Sequence, residues 1–136
     1  MVLLLVGILA VFAAPRLFNS TDFYARGFHD ETLALLRYAQ KTAVAQRRMV
    51  CVSFTLTSAS LRVDKDEAIG CEADLAGPRG AGLSGTVTAR SGVSYSSLPA
   101  TVNFDPLGRP NAAQTILVQG VGRSIQIEAE TGYVHE

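Results

Sequence analysis

The chain opens with an uninterrupted apolar segment, Val2 to Ala14, which ends at Pro15-Arg16. Its content of leucine, isoleucine, valine and alanine favours a helix in an apolar environment. Proline lacks a backbone donor, so we expect this helix to kink or to reach a boundary at Pro15. The segment is shorter than the roughly 20 residues that cross a bilayer comfortably.

A second pattern, with a period near 3.6, extends from Phe28 towards Arg48. Apolar or small side chains recur at steps of three and four: Phe28, Thr32, Leu35, Leu36, Ala39 and Ala43. Basic residues such as Arg37 and Lys41 lie elsewhere on the circumference. This spacing predicts an amphipathic helix over residues 19–48, ending in basic residues that suit a helix C-terminus.

After Arg48 the period changes to two. Val50, Val52, Phe54 and Leu56 alternate with polar or small residues, which predicts a half-buried strand. Shorter strands are predicted at residues 60–63, 86–89, 93–96, 101–104, 115–119 and 124–129. Turn residues separate these segments, so we expect residues 49–136 to form an antiparallel β-domain.

Together these patterns predict an α+β fold, with a long N-terminal helix packed on an antiparallel sheet. The helix is hydrophobic over residues 1–18 and amphipathic over residues 19–48. We expect the amphipathic half to cover the open face of the sheet. The hydrophobic half would project beyond the domain, where it needs a bilayer or other copies of such a helix.

Charge gives little support to a nucleic-acid partner. The 136 residues have room for one domain, and their 12 basic and 12 acidic side chains leave no net charge. The candidates for nucleic-acid contact are Arg37, Lys41, Arg47, Arg48 and Arg109. No stacking motif interleaves with them, so we interpret them as residues that solubilise a helix flank and loops, with nucleic-acid contact as the alternative.

Candidate catalytic and metal-binding residues are few. We expect His29 to be a solvated helix residue and His135 to lie at a frayed chain end. Asp64-Lys65-Asp66-Glu67 resembles the start of a calcium loop, but Ala68 falls where a ligand is needed. No Gly-x-Ser-x-Gly motif is present. We therefore predict no enzymatic activity, no metal site and no cofactor.

The two cysteines, Cys51 and Cys71, are too few for a structural zinc site. Outside the cytoplasm they would form one bridge, which would stabilise the fold by about 3 kcal/mol. In the cytosol they would be two separate thiols. A signal peptide cut near Ala14, leaving a secreted β-protein, is a further alternative, although no basic residues precede the apolar run.

Four separated segments carry a resemblance to a known family. They are Leu4 to Ala10 followed by Ala14-Pro15-Arg16, Leu35 to Ala43, Phe104 to Pro110, and Glu130 to Val134. In this order they resemble the GspH/FimT group of minor pilins and pseudopilins, which serve type IV pili and type II secretion. The chain is most similar to the MshC-like minor pilins of MSHA pili, and the likeness covers essentially its whole length.

The resemblance implies a structural subunit that is anchored in the bacterial inner membrane, with its domain in the periplasm, before it joins a pilus or pseudopilus. The helix residues that would enter lipid and then the fibre are Leu3, Leu4, Leu5, Val6, Gly7, Ile8, Leu9, Ala10, Val11, Phe12 and Pro15. The implied partners are other pilin or pseudopilin subunits, inner-membrane lipid and assembly-platform proteins. The alternative function is a pilus-tip binding module for DNA uptake or adhesion.

Two further expectations follow from the resemblance. A periplasmic domain is oxidised, which predicts a Cys51–Cys71 disulfide that pins the intervening loop to the first strand. Members of the group also carry a basic leader, a phenylalanine that becomes N-methylated and a nearby glutamate. These would precede Met1, so either the natural start lies upstream or this copy is not processed in the usual way. We expect the first, with the apolar run as part of a longer helix.

Overall fold

The protein is described by a computed structural model that covers residues 1–17, 20–66, 70–80 and 85–136. Its elements form the predicted α+β fold. The helices are α1 (Val2–Leu17) and α2 (Ser20–Gln46). The strands are β1 (Val50–Phe54), β2 (Ser58–Val63), β3 (Ala73–Asp74), β4 (Thr86–Thr88), β5 (Val102–Phe104), β6 (Gln114–Leu117), β7 (Ser124–Ile127) and β8 (Val134–His135).

Helix α1 continues through Pro15, so this proline is not the helix end. The predicted boundary between the hydrophobic and amphipathic halves, at residues 18 and 19, lies outside the described residues. Within the described chain, no helix combines the length and the apolar character that crossing a membrane requires.

Helix α2 buries the face that its 3.6-residue period predicts. All six residues of the predicted stripe are buried, together with Ala25, His29, Leu33 and Thr42. This face packs on β1, β2, β4 and β5. Because each fully buried leucine, valine or phenylalanine contributes about 1.5–3 kcal/mol, this contact is a main source of the domain's stability.

The described strands form two antiparallel sheets. One has the order β3-β2-β1-β5, with β4 pairing the same edge of β2 that β3 uses further along. The hairpin of β1 and β2 sets Val52 opposite Leu61, so both buried side chains face the helix layer. The second sheet has the order β6-β7-β8.

The prediction of a strand at residues 93–96 is wrong, because this segment connects the two sheets and does not form a β-ladder with either of them. The Tyr95 amide donates to Leu56 O in the first sheet's hairpin, and the Ser96 amide donates to Leu117 O of β6. Only an isolated bridge, Tyr95 to Val118, is formed. Leu56, predicted to be inward, is 51% exposed because the chain already turns there.

Tyr95 is a buried core residue that brings a polar hydroxyl group into the hydrophobic core. Its ring lies 4.8 Å from that of Phe28 and 5.7 Å from that of Phe54. Its hydroxyl lies 2.9 Å from Thr32 Oγ1, which also donates to Phe28 O at 2.8 Å. Burial raises the pKa of Tyr95 to about 12, so the phenol stays neutral and satisfied in the core.

Candidate functional site

Helix α1 presents a run of large apolar side chains that remain exposed. Those whose environment is described are Val2, Leu3, Leu4, Leu5, Val6, Ile8, Leu9 and Val11, each more than half exposed. A Cβ built at Gly7 meets nothing within 4 Å, so the helix backbone is open to close approach there. The side chains of Phe12 and Pro15 lie outside the described ones. Such a continuous apolar surface marks a contact with lipid or with other proteins.

A second feature brings together two of the segments that carried the family resemblance. Gln40 of α2 donates from Nε2 to Gly108 O at 3.2 Å and to Thr131 O at 3.0 Å. Gly132 lies against the backbone of Gly108, where a Cβ would overlap the carbonyl oxygen. The turns at residues 105–109 and 129–132 therefore pack against each other, and Gln40 of α2 donates a hydrogen bond to each of them.

The first of these turns is organised by Asp105. Its Oδ1 accepts from the amides of Leu107 at 2.9 Å and Arg109 at 2.8 Å, and its Oδ2 accepts from Arg109 Nε at 3.1 Å. Burial tends to raise the pKa of Asp105, but these hydrogen bonds and the Arg109 charge lower it below its usual value. The carboxylate thus stays ionised and shapes the loop that Gly108, at φ 82°, closes.

The chain after β7 runs along α2, and side chains at three positions of the helix form hydrogen bonds with it. Gln40 bonds Thr131 O, Arg37 Nε donates to Val134 O at 3.0 Å, and His29 Nε2 lies 2.9 Å from Glu136 Oε1. Arg123 Nη1 holds the other carboxylate oxygen of Glu136 at 2.7 Å. The His29 hydrogen bond and the Arg123 charge lower the pKa of the Glu136 carboxyl.

Both histidine predictions are wrong. His29 is fully buried in the interface between α2 and the chain after β7, so it is not solvated. His135 belongs to β8, stacks on the Tyr133 ring at 5.0 Å and lies 2.9 Å from Glu128 Oε1. The hydrogen bond with Glu128 raises the pKa of His135. The two histidines each contact a carboxylate, His29 that of Glu136 and His135 that of Glu128, and both contacts hold the chain after β7 in place.

The cysteines form the predicted disulfide. Cys51 on β1 is bonded to Cys71, with Cα atoms 6.1 Å apart and a sequence separation of 20. β3 follows directly and pairs with β2 through Arg62 and Val63. The bridge therefore fixes the start of β3 against the hairpin of β1 and β2.

The five candidate nucleic-acid residues divide into two groups. Arg37 and Arg109 are engaged within the chain, with Val134 O and Asp105 respectively. Lys41, Arg47 and Arg48 are exposed, and their side chains have no hydrogen bond or ion pair with the described residues. Of the five candidates, those left available therefore lie on the second half of α2 and on the residues that follow it.

Two groups of ligand-type side chains come close together, but neither is assigned as a metal site. In each group, His29 with Asp30 and Glu136, and Asp64 with Asp66 and Glu72, the possible ligand atoms lie within 4.8 Å of one another. Glu136 is already held by His29 and Arg123. In the second group, Glu72 accepts from the Lys65 amide, and Asp64 accepts from the Asp66 amide. Glu67 and Ala68 of the predicted loop lie outside the described residues.

Comparison with known proteins adds a family and a fold. Residues 30–131 match the sequence profile of GspH, a type II transport protein. Two crystal structures of the type IV minor pilin FimU from Pseudomonas aeruginosa are similar. One has a TM-score of 0.55 at 16% identity, over 81% of this chain and 90% of FimU. The other has a TM-score of 0.57 at 17% identity, over 81% and 85%. This likeness shows a shared fold, while no curated protein matches the sequence.

Proposed function

The chain belongs to the GspH family, and from this premise we propose that it is a structural minor pilin or pseudopilin subunit of a type IV pilus or type II secretion fibre. The family is one of structural pilins rather than of enzymes. The observation that carries the proposal is α1, an apolar helix joined to a domain that has its own complete core.

The proposed mechanism is successive burial of α1. The helix first enters inner-membrane lipid, with the domain in the periplasm, and then packs among the helices of neighbouring subunits. Each fully buried leucine or valine contributes about 1.5–3 kcal/mol relative to exposure, so burial of Leu3, Leu4 and Leu9 alone supplies a large driving force for leaving water. Gly7 and Ala10 permit close approach between helices.

Two finer assignments belong to this proposal. We propose an MSHA-type pilus as the machine that the subunit serves, on the overall resemblance to the MshC-like minor pilins. Assembly-platform proteins would extract the subunit from the membrane and insert it in the fibre. The division into a hydrophobic part (1–18), an amphipathic part (19–48) and a β-domain (49–136) would then separate the lipid or fibre contact from the outward-facing domain.

Substitution of Leu9 by aspartate tests the mechanism, because Leu9 is 69% exposed and its replacement leaves the domain core untouched. In cells that assemble the fibre, we expect Leu9→Asp to leave the membrane fraction and to be absent from sheared fibres. Leu98→Asp is the matched control, since Leu98 is a similarly exposed leucine of the β-domain. Equal retention of both variants in membranes and fibres would refute the proposal.

A further inference from the structure

A cavity of about 520 Å³ opens between the end of α2 and the segment after β2. Arg47 and Arg48 line one side, Asp64, Lys65 and Asp66 line the other, and Pro106 closes it from the adjacent turn. We call it the distal pocket. It lies at the far end of α2 from Ser20, and 27 residues at 1.5 Å per residue place the two ends about 40 Å apart.

The cationic side chains of the distal pocket are available for a ligand. Arg47, Arg48 and Lys65 are exposed, and their side chains make no hydrogen bond or ion pair with any residue that the structure describes. Most other described arginines are engaged within the chain: Arg37, Arg62, Arg79, Arg90, Arg109 and Arg123. The distal pocket therefore gathers positive charge that the fold itself does not use.

The backbone of Arg47 gives an independent reason to assign its side chain a role. Arg47 has φ 52°, the left-handed conformation, and among the described residues no other non-glycine has a positive φ. Its amide donates to Val44 O at 3.4 Å, and that of Arg48 donates to Ala43 O at 3.2 Å, the Schellman pattern that ends a helix. Glycine adopts this conformation without strain, so an arginine here costs stability that capping does not explain.

The lining of the distal pocket favours carboxylates over a run of phosphates. Asp64 and Asp66 would repel a polyphosphate backbone, and none of the described residues that line the pocket is an aromatic that could stack on a base. Two adjacent guanidinium groups suit bidentate pairing with carboxylates. A protein segment can space its acidic residues, so it can bring glutamates or aspartates to Arg47 and Arg48 while keeping them away from Asp64 and Asp66.

We propose that the distal pocket docks an acidic segment of another subunit of the fibre, with carboxylates on Arg47 and Arg48. The identity of the partner rests on the proposed function, since a subunit whose α1 is buried in the fibre still presents the other end of α2. The arginine and lysine charges would then set which subunit is accepted as a neighbour, a contribution to specificity and association rate.

Binding of a fluorescent peptide that alternates glutamate with glycine to the full chain in non-ionic detergent tests this proposal. We expect saturable binding at low salt that weakens by about fivefold in Arg47→Gly and in Arg48→Ala. Arg47→Gly should also raise the melting temperature by about 3–5 °C, because the strained residue is relieved. Arg47→Gly should therefore bind more weakly and yet melt at a higher temperature. A variant that failed to fold could not show both changes. Lys41→Ala, on α2 and outside the pocket, is the control and should bind normally.

Three results would overturn the proposal. They are no binding of the glutamate–glycine peptide, equal weakening by Lys41→Ala, and tighter binding of a short single-stranded oligonucleotide that the same arginine variants abolish. The last result would assign the distal pocket to nucleic acid. The behaviour of Leu9→Asp bears on fibre assembly alone, so failure of the pocket and failure of the proposed function are distinguishable.

Discussion

Gly132 lies so close to Gly108 that a side chain at position 132 would occupy the space of the Gly108 carbonyl oxygen. Gly132 also has φ 69°, a conformation that other residues adopt at a cost. This contact joins the turn before β8 to the turn after β5, two segments separated by two strands of the second sheet. The contact holds together the two turns to which Gln40 of α2 donates hydrogen bonds.

We predict that Gly132→Ala lowers the free energy of unfolding by about 2–4 kcal/mol, because the overlap adds to the conformational cost. Gly120→Ala is the matched control. Gly120 has φ 85°, but a Cβ there meets nothing within 4 Å, so we expect a loss of only about 1 kcal/mol. Urea denaturation measures both, and equal losses would show that the contact with Gly108 contributes nothing.

Gln40 holds the same two turns through two hydrogen bonds to carbonyl oxygens. We predict that Gln40→Ala lowers the free energy of unfolding by about 1–2 kcal/mol, because both hydrogen bonds are lost. Gln46→Ala, at the exposed last residue of α2, should change the unfolding free energy very little. Hydrogen exchange gives a second measure: the amide of Gly132 should exchange faster in Gln40→Ala. Unchanged exchange at Gly132 would contradict the role assigned to Gln40.

The Cys51–Cys71 bridge closes a loop of 20 positions, and we predict that Cys71→Ser lowers stability by about 3 kcal/mol under oxidising conditions. Addition of a reductant should lower the melting temperature of the wild type towards that of the variant. The variant itself should melt at the same temperature with and without reductant. A wild-type melting temperature that reductant leaves unchanged would be inconsistent with a stabilising bridge.

The attachment of β8 should depend on pH in a defined direction. The pKa of His135 is raised from its ordinary value of 6.5, so its contribution is complete below that value and is lost as the pH rises through the raised pKa. The pKa of Glu136 is lowered from 4.5, so its contribution is present above that value and is lost as the pH falls through the lowered pKa. Both contacts are therefore intact between these two ordinary values.

Replacement of His135 by glutamine tests the part of this pH dependence in which stability is lost as the pH rises and His135 loses its proton. We predict that the stability difference from wild type is largest near about pH 6 and disappears towards about pH 9, where His135 is neutral in both states. Denaturation at a series of pH values would measure it. A difference that is constant over this range would mean that the Glu128 contact does not depend on the histidine charge.

The parts of the fold that the sequence predicts are those with local periodicity. The stripe from Phe28 to Ala43 needs only the 3.6-residue period, and the inward side chains of β1 need only alternation. β3 and β8 were missed because each has two residues, too few for any period to appear. The alternation at Val93 and Tyr95 reports burial correctly, but it cannot tell a strand in a ladder from an extended link between two sheets.

The missed site residues depend on partners that are distant in sequence. His29 is buried because Glu136, 107 positions later, supplies its partner, and nothing around His29 in sequence indicates this. The close packing of Gly108 and Gly132 likewise needs the tertiary structure, although each glycine lies in a turn motif. Arg47 was interpreted as a residue that suits the helix dipole, while its left-handed backbone gives no signal in sequence because glycine is the usual residue there.

The central claim is that α1 is covered by lipid or by other subunits and not by its own domain. A photo-crosslinking amino acid placed at Leu9 tests it most directly, with the same group at the exposed Leu98 as the control. In sheared fibres, we predict that the Leu9 position crosslinks to helices of other pilin subunits, and that in membranes it crosslinks to lipid. A crosslink from Leu9 only to the β-domain of the same chain would contradict the claim.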